Sequence, residues 1–187
     1  MPLIFLGPPG AGKSTQGKIL AQQGPIVHIS TGELLRKAIV AQTHLGKEVQ
    51  PYVETGQLVP DYLIMEIMRK RLQESDTKLG WILEGCPRTV TQAQSLDQIL
   101  SSLNQPHPQV IYFNTDTSVV IQRLLNRGRQ DDNERVILHH LQFFQRQIIP
   151  VIEFYQKQKL LVSVNGNQSI NEVTSSLYSA LQFSVLA

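Results

Sequence analysis

Gly7-Pro8-Pro9-Gly10-Ala11-Gly12-Lys13-Ser14-Thr15 is the stretch on which the reading of this 187-residue chain turns. It fits Gly-x-x-x-x-Gly-Lys-Ser/Thr. The apolar run Leu3-Ile4-Phe5-Leu6 precedes it, and Thr15 to Gln22 can continue as a helix. Strand, glycine loop and helix in that order are the context in which such a loop wraps a phosphate. Glycine lets the backbone approach the anion closely, and the N–H groups and dipole of the helix start attract it. Gly10, Ala11, Gly12, Lys13, Ser14 and Thr15 are therefore candidate ATP-binding residues. Lys13 is expected to reach the β- and γ-phosphates, and Ser14 to help hold Mg²⁺. A plain Gly/Pro turn would account for the glycines but not for the Lys-Ser pair in register behind a strand.

Working outward, short apolar runs recur at Ile26-Val27-His28-Ile29, Trp81-Ile82-Leu83, Val110-Ile111-Tyr112-Phe113 and Leu160 to Val164. Amphipathic segments separate them, the pattern of βαβ units and a parallel sheet. Asp61 to Leu72 carries the helical stripe Leu63, Ile64, Ile67, Met68, Arg71, Leu72, with Asp61 as the expected N-cap. Another helix is expected from Ser169, with Glu172 completing a capping box. Two segments depart from the rhythm. Residues 30–59 are too long for one crossover helix and are expected to break at Gly46, Pro51 and Gly56 into a small helical insertion. Residues 126–133 are a short polar break between helices. Both belong on the sheet side of the glycine loop.

Composition narrows the function classes. A net charge of +2 gives no case for a nucleic-acid-coating surface. Cys86 is the only cysteine, so an intramolecular disulfide and a cysteine zinc site are both excluded. The first strand begins within about three residues, which leaves no room for a leader, and no apolar stretch approaches the ~20 residues of a membrane span. The expectation is a cytoplasmic protein of one domain, residues 1–187. The cluster Arg123, Arg127, Arg129, Arg135 reads by default as a solvated helix face.

Further motifs follow in order: His28-Ile29-Ser30-Thr31-Gly32-Glu33-Leu34-Leu35-Arg36, Gly56-Gln57-Leu58-Val59-Pro60-Asp61, and Gly80-Trp81-Ile82-Leu83-Glu84-Gly85-Cys86-Pro87-Arg88-Thr89. They continue with Arg127-Gly128-Arg129-Gln130-Asp131-Asp132-Asn133 and Pro150 to Tyr155. The ordered set resembles the adenylate kinase family of nucleoside monophosphate kinases, short-lid type. The resemblance implies a P-loop doubly wound α/β fold with a five-stranded parallel sheet. It makes 30–59 an NMP-binding insertion and 126–133 a very short lid. It implies Mg²⁺-dependent transfer of the terminal phosphoryl group of ATP to AMP, giving two ADP, by a monomer. It assigns Thr31, Arg36, Gln57, Leu58, Val59, Gly85, Cys86, Pro87, Arg88, Gln92 and Arg129 to AMP. Lys13, Arg88, Arg127 and Arg129 carry the chemistry, and Ser14 with Glu84 hold Mg²⁺, the latter through water. Gln92 has two readings, a base contact or a capping box with Thr89. Thr31 and Glu33 likewise have a Ser30 capping box as their alternative.

Four departures from the family pattern stand out. Glu84 replaces a usual Asp, Cys86 replaces an aromatic, His140 replaces a lid arginine (Arg135 lies five residues upstream), and only Gly128 separates Arg127 from Arg129. They keep open a catalytically impaired nucleotide binder beside the kinase. A UMP/CMP kinase is the other alternative, and Thr31, where such kinases usually carry alanine, favours AMP.

Overall fold

The computed structural model describes residues 1–55, 57, 59–127 and 134–185. At 134–136, 139, 140, 143 and 182–185 it describes the backbone only. Five strands alternate with helices: β1 (Pro2–Leu6), α1 (Lys13–Gln23), β2 (Val27–Ser30), α2 (Thr31–Val40), α3 (His44–Glu54), α4 (Asp61–Leu72) and β3 (Trp81–Glu84) come first. Then follow α5 (Val90–Ser102), β4 (Gln109–Asn114), α6 (Thr117–Arg127), α7 (Glu134–Lys157), β5 (Leu161–Asn165) and α8 (Ile170–Val185). The strands form one parallel sheet in the order β2-β3-β1-β4-β5. The expected α/β doubly wound architecture with five parallel strands is thus the observed one.

β1 explains why both faces are covered. Its side chains alternate, so Ile4 and Leu6 join a cluster with Leu63, Met68, Leu83 and Leu96 under α4 and α5. Leu3 and Phe5 point the other way, to Leu20 of α1 and Leu177 of α8. A strand buried on both faces reads as an unbroken apolar run, as this one does. Phe5 and Phe113 meet edge to face, centroids 4.9 Å apart. Gln16, 2% exposed, fastens α1 to α8: its Nε2 donates to Ile170 O at 2.8 Å, and its Oε1 accepts from Thr174 Oγ1 at 2.8 Å.

Three local expectations are corrected. Pro51 does not break the 30–59 segment; it lies inside α3. The N–H it lacks would serve Lys47 O, and both residues are exposed, so water can take that carbonyl. Gly46 does not break the segment either. It sits in the first turn of α3, where a Cβ would fall 2.0 Å from Ala38 O, so glycine is what lets α3 cross α2 closely. Asp61 is the first residue of α4 with Pro60 in the capping position, and its carboxylate bonds elsewhere. The Ser169–Glu172 box forms in both directions. In the α4 stripe the apolar residues are buried, whereas Arg71 turns to Asp76 in a fork of 2.7 and 2.8 Å.

Candidate active site

The carboxyl ends of β2, β3 and β1 stand side by side. Register pairs Phe5 with Glu84 and Glu84 with Ser30, so the segments starting at Gly7, Gly85 and Thr31 emerge next to one another. The chain order changes direction about β1, the place where open α/β sheets form a ligand crevice.

On the β1 side the glycine loop runs into α1. Gly10 has φ +82°, and a Cβ there would lie 3.0 Å from Leu124 Cγ, so the loop rests directly on α6. Lys13 Nζ donates to Gly7 O and Pro8 O, both at 2.8 Å, holding the ammonium across its own loop. Burial lowers the Lys13 pKa to about 8; nearby Glu84 raises it and nearby Arg88 lowers it further. These couplings bring Lys13, Glu84 and Arg88 into one electrostatic neighbourhood. Ser14 Oγ donates to Glu84, 2.7 Å from Oε1 and 2.9 Å from Oε2. The extra methylene of Glu84, relative to the aspartate usual in the resembled family, therefore still places its carboxylate on the loop serine.

Glu84 also faces His28, a neighbour the sequence reading missed. His28 Nε2 lies 3.7 Å from Oε1, and both side chains are 7% exposed. Gly17 makes room for the ring, since a Cβ there would fall 2.5 Å from His28 Cδ2. Burial opposes the charge on Glu84, but His28, the Ser14 hydroxyl and Lys13 together hold its carboxyl down at about 2. A serine hydroxyl that gives its hydrogen to a carboxylate keeps its lone pairs for a cation, and both groups are the oxygen donors Mg²⁺ prefers. The donor set fits that ion. Among the described residues no group of three or more His, Cys, Asp or Glu has a metal-binding arrangement.

On the β3 side, Arg88 Nε donates to Gly85 O at 3.0 Å and its backbone N–H to Gln92 Oε1 at 2.7 Å. The side chain reaches solvent, yet the crowded crevice lowers its pKa by desolvation, with Cys86 and Glu84 opposing the drop. Thr31 is 3% exposed and gives its hydroxyl to Glu84 O at 3.0 Å. A Cβ on Gly85 would lie 3.3 Å from Thr31 Cβ and 3.8 Å from Arg88 Nη2; one on Gly32 would lie 3.3 Å from Arg36 Nη1. Arg88 and Thr31 thus meet at the contact between the β2 and β3 ends, and Arg36 folds back over Gly32 one turn along α2.

Other sequence-derived candidates lie differently. Cys86 is fully buried within the main apolar cluster, so only its backbone can face a ligand; the Cys86–Pro87 peptide is cis. Gln92 is 2% exposed; its carbonyl accepts from Arg88 N–H and one of its two Nε2 hydrogens goes to Asp61. Half of its alternative reading holds: Thr89 Oγ1 accepts from Gln92 N at 3.1 Å, while the Gln92 side chain reaches Arg88 N rather than Thr89 N. Ser30 makes no side-chain cap bond. Val59 is buried and Gln57 exposed. Arg123, read from the sequence as part of a solvated arginine face, donates to the carbonyls of Gly166 (2.7 Å), Gln168 (3.0 Å) and Asn167 (3.4 Å), bracing the β5–α8 connection. Arg127 ends α6, one turn beyond Leu124. Leu58 and Arg129, with the rest of 128–133, lie outside the described residues, as do the side chains of Arg135 and His140.

The adenylate kinase family model matches residues 5–160, spanning both sides of this crevice. The chain belongs to the adenylate kinase family. Adenylate kinase 1 of Nostoc sp. (strain PCC 7120 / SAG 25.82 / UTEX 2576) is 47% identical over 179 residues, 96% of this chain and 97% of that one. Adenylate kinase of Prochlorococcus marinus (strain MIT 9211) is 44% identical over 179 residues, 96% of each chain. That of Cyanothece sp. (strain PCC 7425 / ATCC 29141) is 42% identical over 94% of this chain and 92% of its own. The Cys86 thiol is fully buried, and burial pushes its pKa up to about 12. Native protein at pH 8 is expected to show no thiol reactive toward a disulfide reagent, and guanidinium-unfolded protein one per chain. A titratable thiol in the native state would contradict the burial.

Proposed function

We propose that this chain catalyses the reversible transfer of the terminal phosphoryl group of MgATP to AMP, giving two ADP. The observation that carries this reading is the convergence of Lys13, Glu84 and Arg88 at adjacent strand ends of an adenylate kinase family member. In the forward direction an AMP phosphate oxygen forms a bond to the γ-phosphorus as the bond to the β–γ bridging oxygen breaks, and ADP leaves with that electron pair. No covalent bond to the protein is needed, so its work is alignment and charge stabilisation. Lys13 leaves its loop carbonyls for the β- and γ-oxygens. Arg88 presents a planar fork to the acceptor phosphate, Arg36 a second one, and Arg127 covers the donor; Arg129 is assigned to both phosphates on the resemblance alone. Ser14 would hold Mg²⁺ directly and Glu84 through water, and the ion would supply charge neutralisation on the donor phosphates.

The 30–59 segment serves as the acceptor insertion and 126–133 as the lid, the former supported by the seating of Thr31 against Glu84 and Gly85 at the crevice. We read the working form as a cytoplasmic monomer; the single buried cysteine suits a reducing compartment. Among the described residues no helix is long and apolar enough to cross a membrane. The hydrogen bond from Ser14 to Glu84 favours an active enzyme over an impaired binder, because the longer carboxylate still reaches the loop.

A coupled assay is expected to show Mg²⁺-dependent ADP formation from ATP and AMP, with kcat/KM for AMP exceeding that for UMP and CMP. No turnover with AMP at any pH would refute the reading, and a pyrimidine preference would reassign the acceptor.

A further inference from the structure

The acceptor side contains a carboxylate that the proposed chemistry does not use. Asp61 opens α4 two residues after Val59. Its Oδ2 accepts from Thr89 Oγ1 at 3.0 Å and its Oδ1 from Gln92 Nε2 at 2.7 Å. Gln92 Oε1 accepts in turn from the Arg88 backbone N–H at 2.7 Å. A hydrogen-bonded chain therefore runs from the exit of the 30–59 segment to the backbone of Arg88, through a glutamine that is 2% exposed. A carboxylate only accepts and a backbone N–H only donates, so these two partners fix which end of the Gln92 amide faces which. Asp61 takes one Nε2 hydrogen and Arg88 N–H occupies the carbonyl, leaving one uncommitted N–H on Gln92.

We propose that Asp61 is a positioning residue for the acceptor nucleotide: it holds Arg88 and the Gln92 amide in the single orientation that offers the acceptor base a donor. The inference rests on the acceptor reading above. A base edge with an acceptor nitrogen, as at N1 of adenine, suits that donor. A base carrying N–H there, as in hypoxanthine, sets donor against donor. A leucine in place of Asp61 keeps the shape but offers no acceptor, so Thr89 Oγ1 and Gln92 Nε2 both lose their partner and the Gln92 amide is no longer held toward Arg88 N–H.

The test is steady-state kinetics with AMP and IMP as acceptors, alongside thermal melts. Asp61→Leu is expected to raise KM for AMP about tenfold, the scale of one lost hydrogen bond to a charged group, with KM for ATP within about twofold. The AMP-over-IMP ratio of kcat/KM is expected to fall by about tenfold on the same ground. Thr89→Val moves both readouts the same way by a smaller factor, and Thr89→Ser restores them. Should Asp61→Leu not fold, the Thr89 pair carries the test. A merely structural Asp61 would lower the melting temperature and leave the AMP/ATP split and the base ratio alone; that result in the folded variant overturns the inference while wild-type turnover stands. Absence of ADP from the wild type overturns the acceptor reading and this inference together.

Discussion

Arg88→Ala is expected to lower kcat/KM by about three to five orders of magnitude, the scale seen when an arginine is withdrawn from a phosphoryl-transfer site. The expectation comes from how the side chain is held. Its Nε is fixed on Gly85 O and its backbone on Gln92, so the fork is set before a substrate arrives. Among the described residues neither Nη group has a hydrogen-bond partner, which leaves both for an oxyanion. Preorganised donors of this kind act without reorganisation during the reaction, and that makes their loss costly. Arg88→Lys is expected to recover only a small part, because an ammonium is a point charge and cannot span two phosphate oxygens. Circular dichroism should show both variants folded, since Arg88 reaches solvent. A loss under tenfold in folded Arg88→Ala would remove Arg88 from the reaction.

Lys13→Met is expected to cost about two to three orders of magnitude in kcat, the scale of removing one preorganised donor from a developing charge. Methionine keeps most of the apolar stem and discards the ammonium. In the resting protein that ammonium lies on Gly7 O and Pro8 O, so its loss leaves two loop carbonyls without a donor. Melting should shift modestly, because the loop borders solvent. ATP affinity should fall less than turnover does, since the backbone N–H groups of the loop still cradle the phosphates. Calorimetry with ATP beside the kinetics separates the two effects. Equal losses in binding and turnover would mean that Lys13 only anchors ATP and does nothing more as the phosphoryl group moves.

What the sequence made legible was local. The five apolar runs and the glycine loop each announce themselves within a dozen residues, and the observed strands fall on those runs. Pro51 misled because a helix breaker is a local signal, whereas its cost depends on whether water can reach the abandoned carbonyl. Asp61 misled for the opposite reason. A carboxylate after Pro60 looks like a cap, but its partners, Thr89 and Gln92, stand about thirty residues further on, and no spacing rule spans that distance. His28 lay unnoticed inside an apolar run. Its meaning comes from a strand register that sets it near Glu84 and from Gly17, which leaves space for the ring. Arg123 was read for its charge, and its length proved the relevant property, reaching the Gly166–Gln168 carbonyls. Thr31 and Arg88 were found as residues, but how their bonds pin the turn after β3 required coordinates.

β1 lies in the middle of the sheet, and its partners are β3, where Trp81 sits opposite Pro2, and β4, which comes later still. Chains leave the ribosome at about 5–20 residues per second, so this first-made strand waits about 4–16 s before either of its edges can be paired. An apolar strand with both edges bare is the kind of template that recruits other chains. Nascent copies are therefore most vulnerable to chaperone capture or co-aggregation while the segment up to residue 84 is emerging. Nucleotide in the surrounding medium gives no protection during that interval, because the serine–glutamate pair that completes the loop does not exist until translation has passed β3.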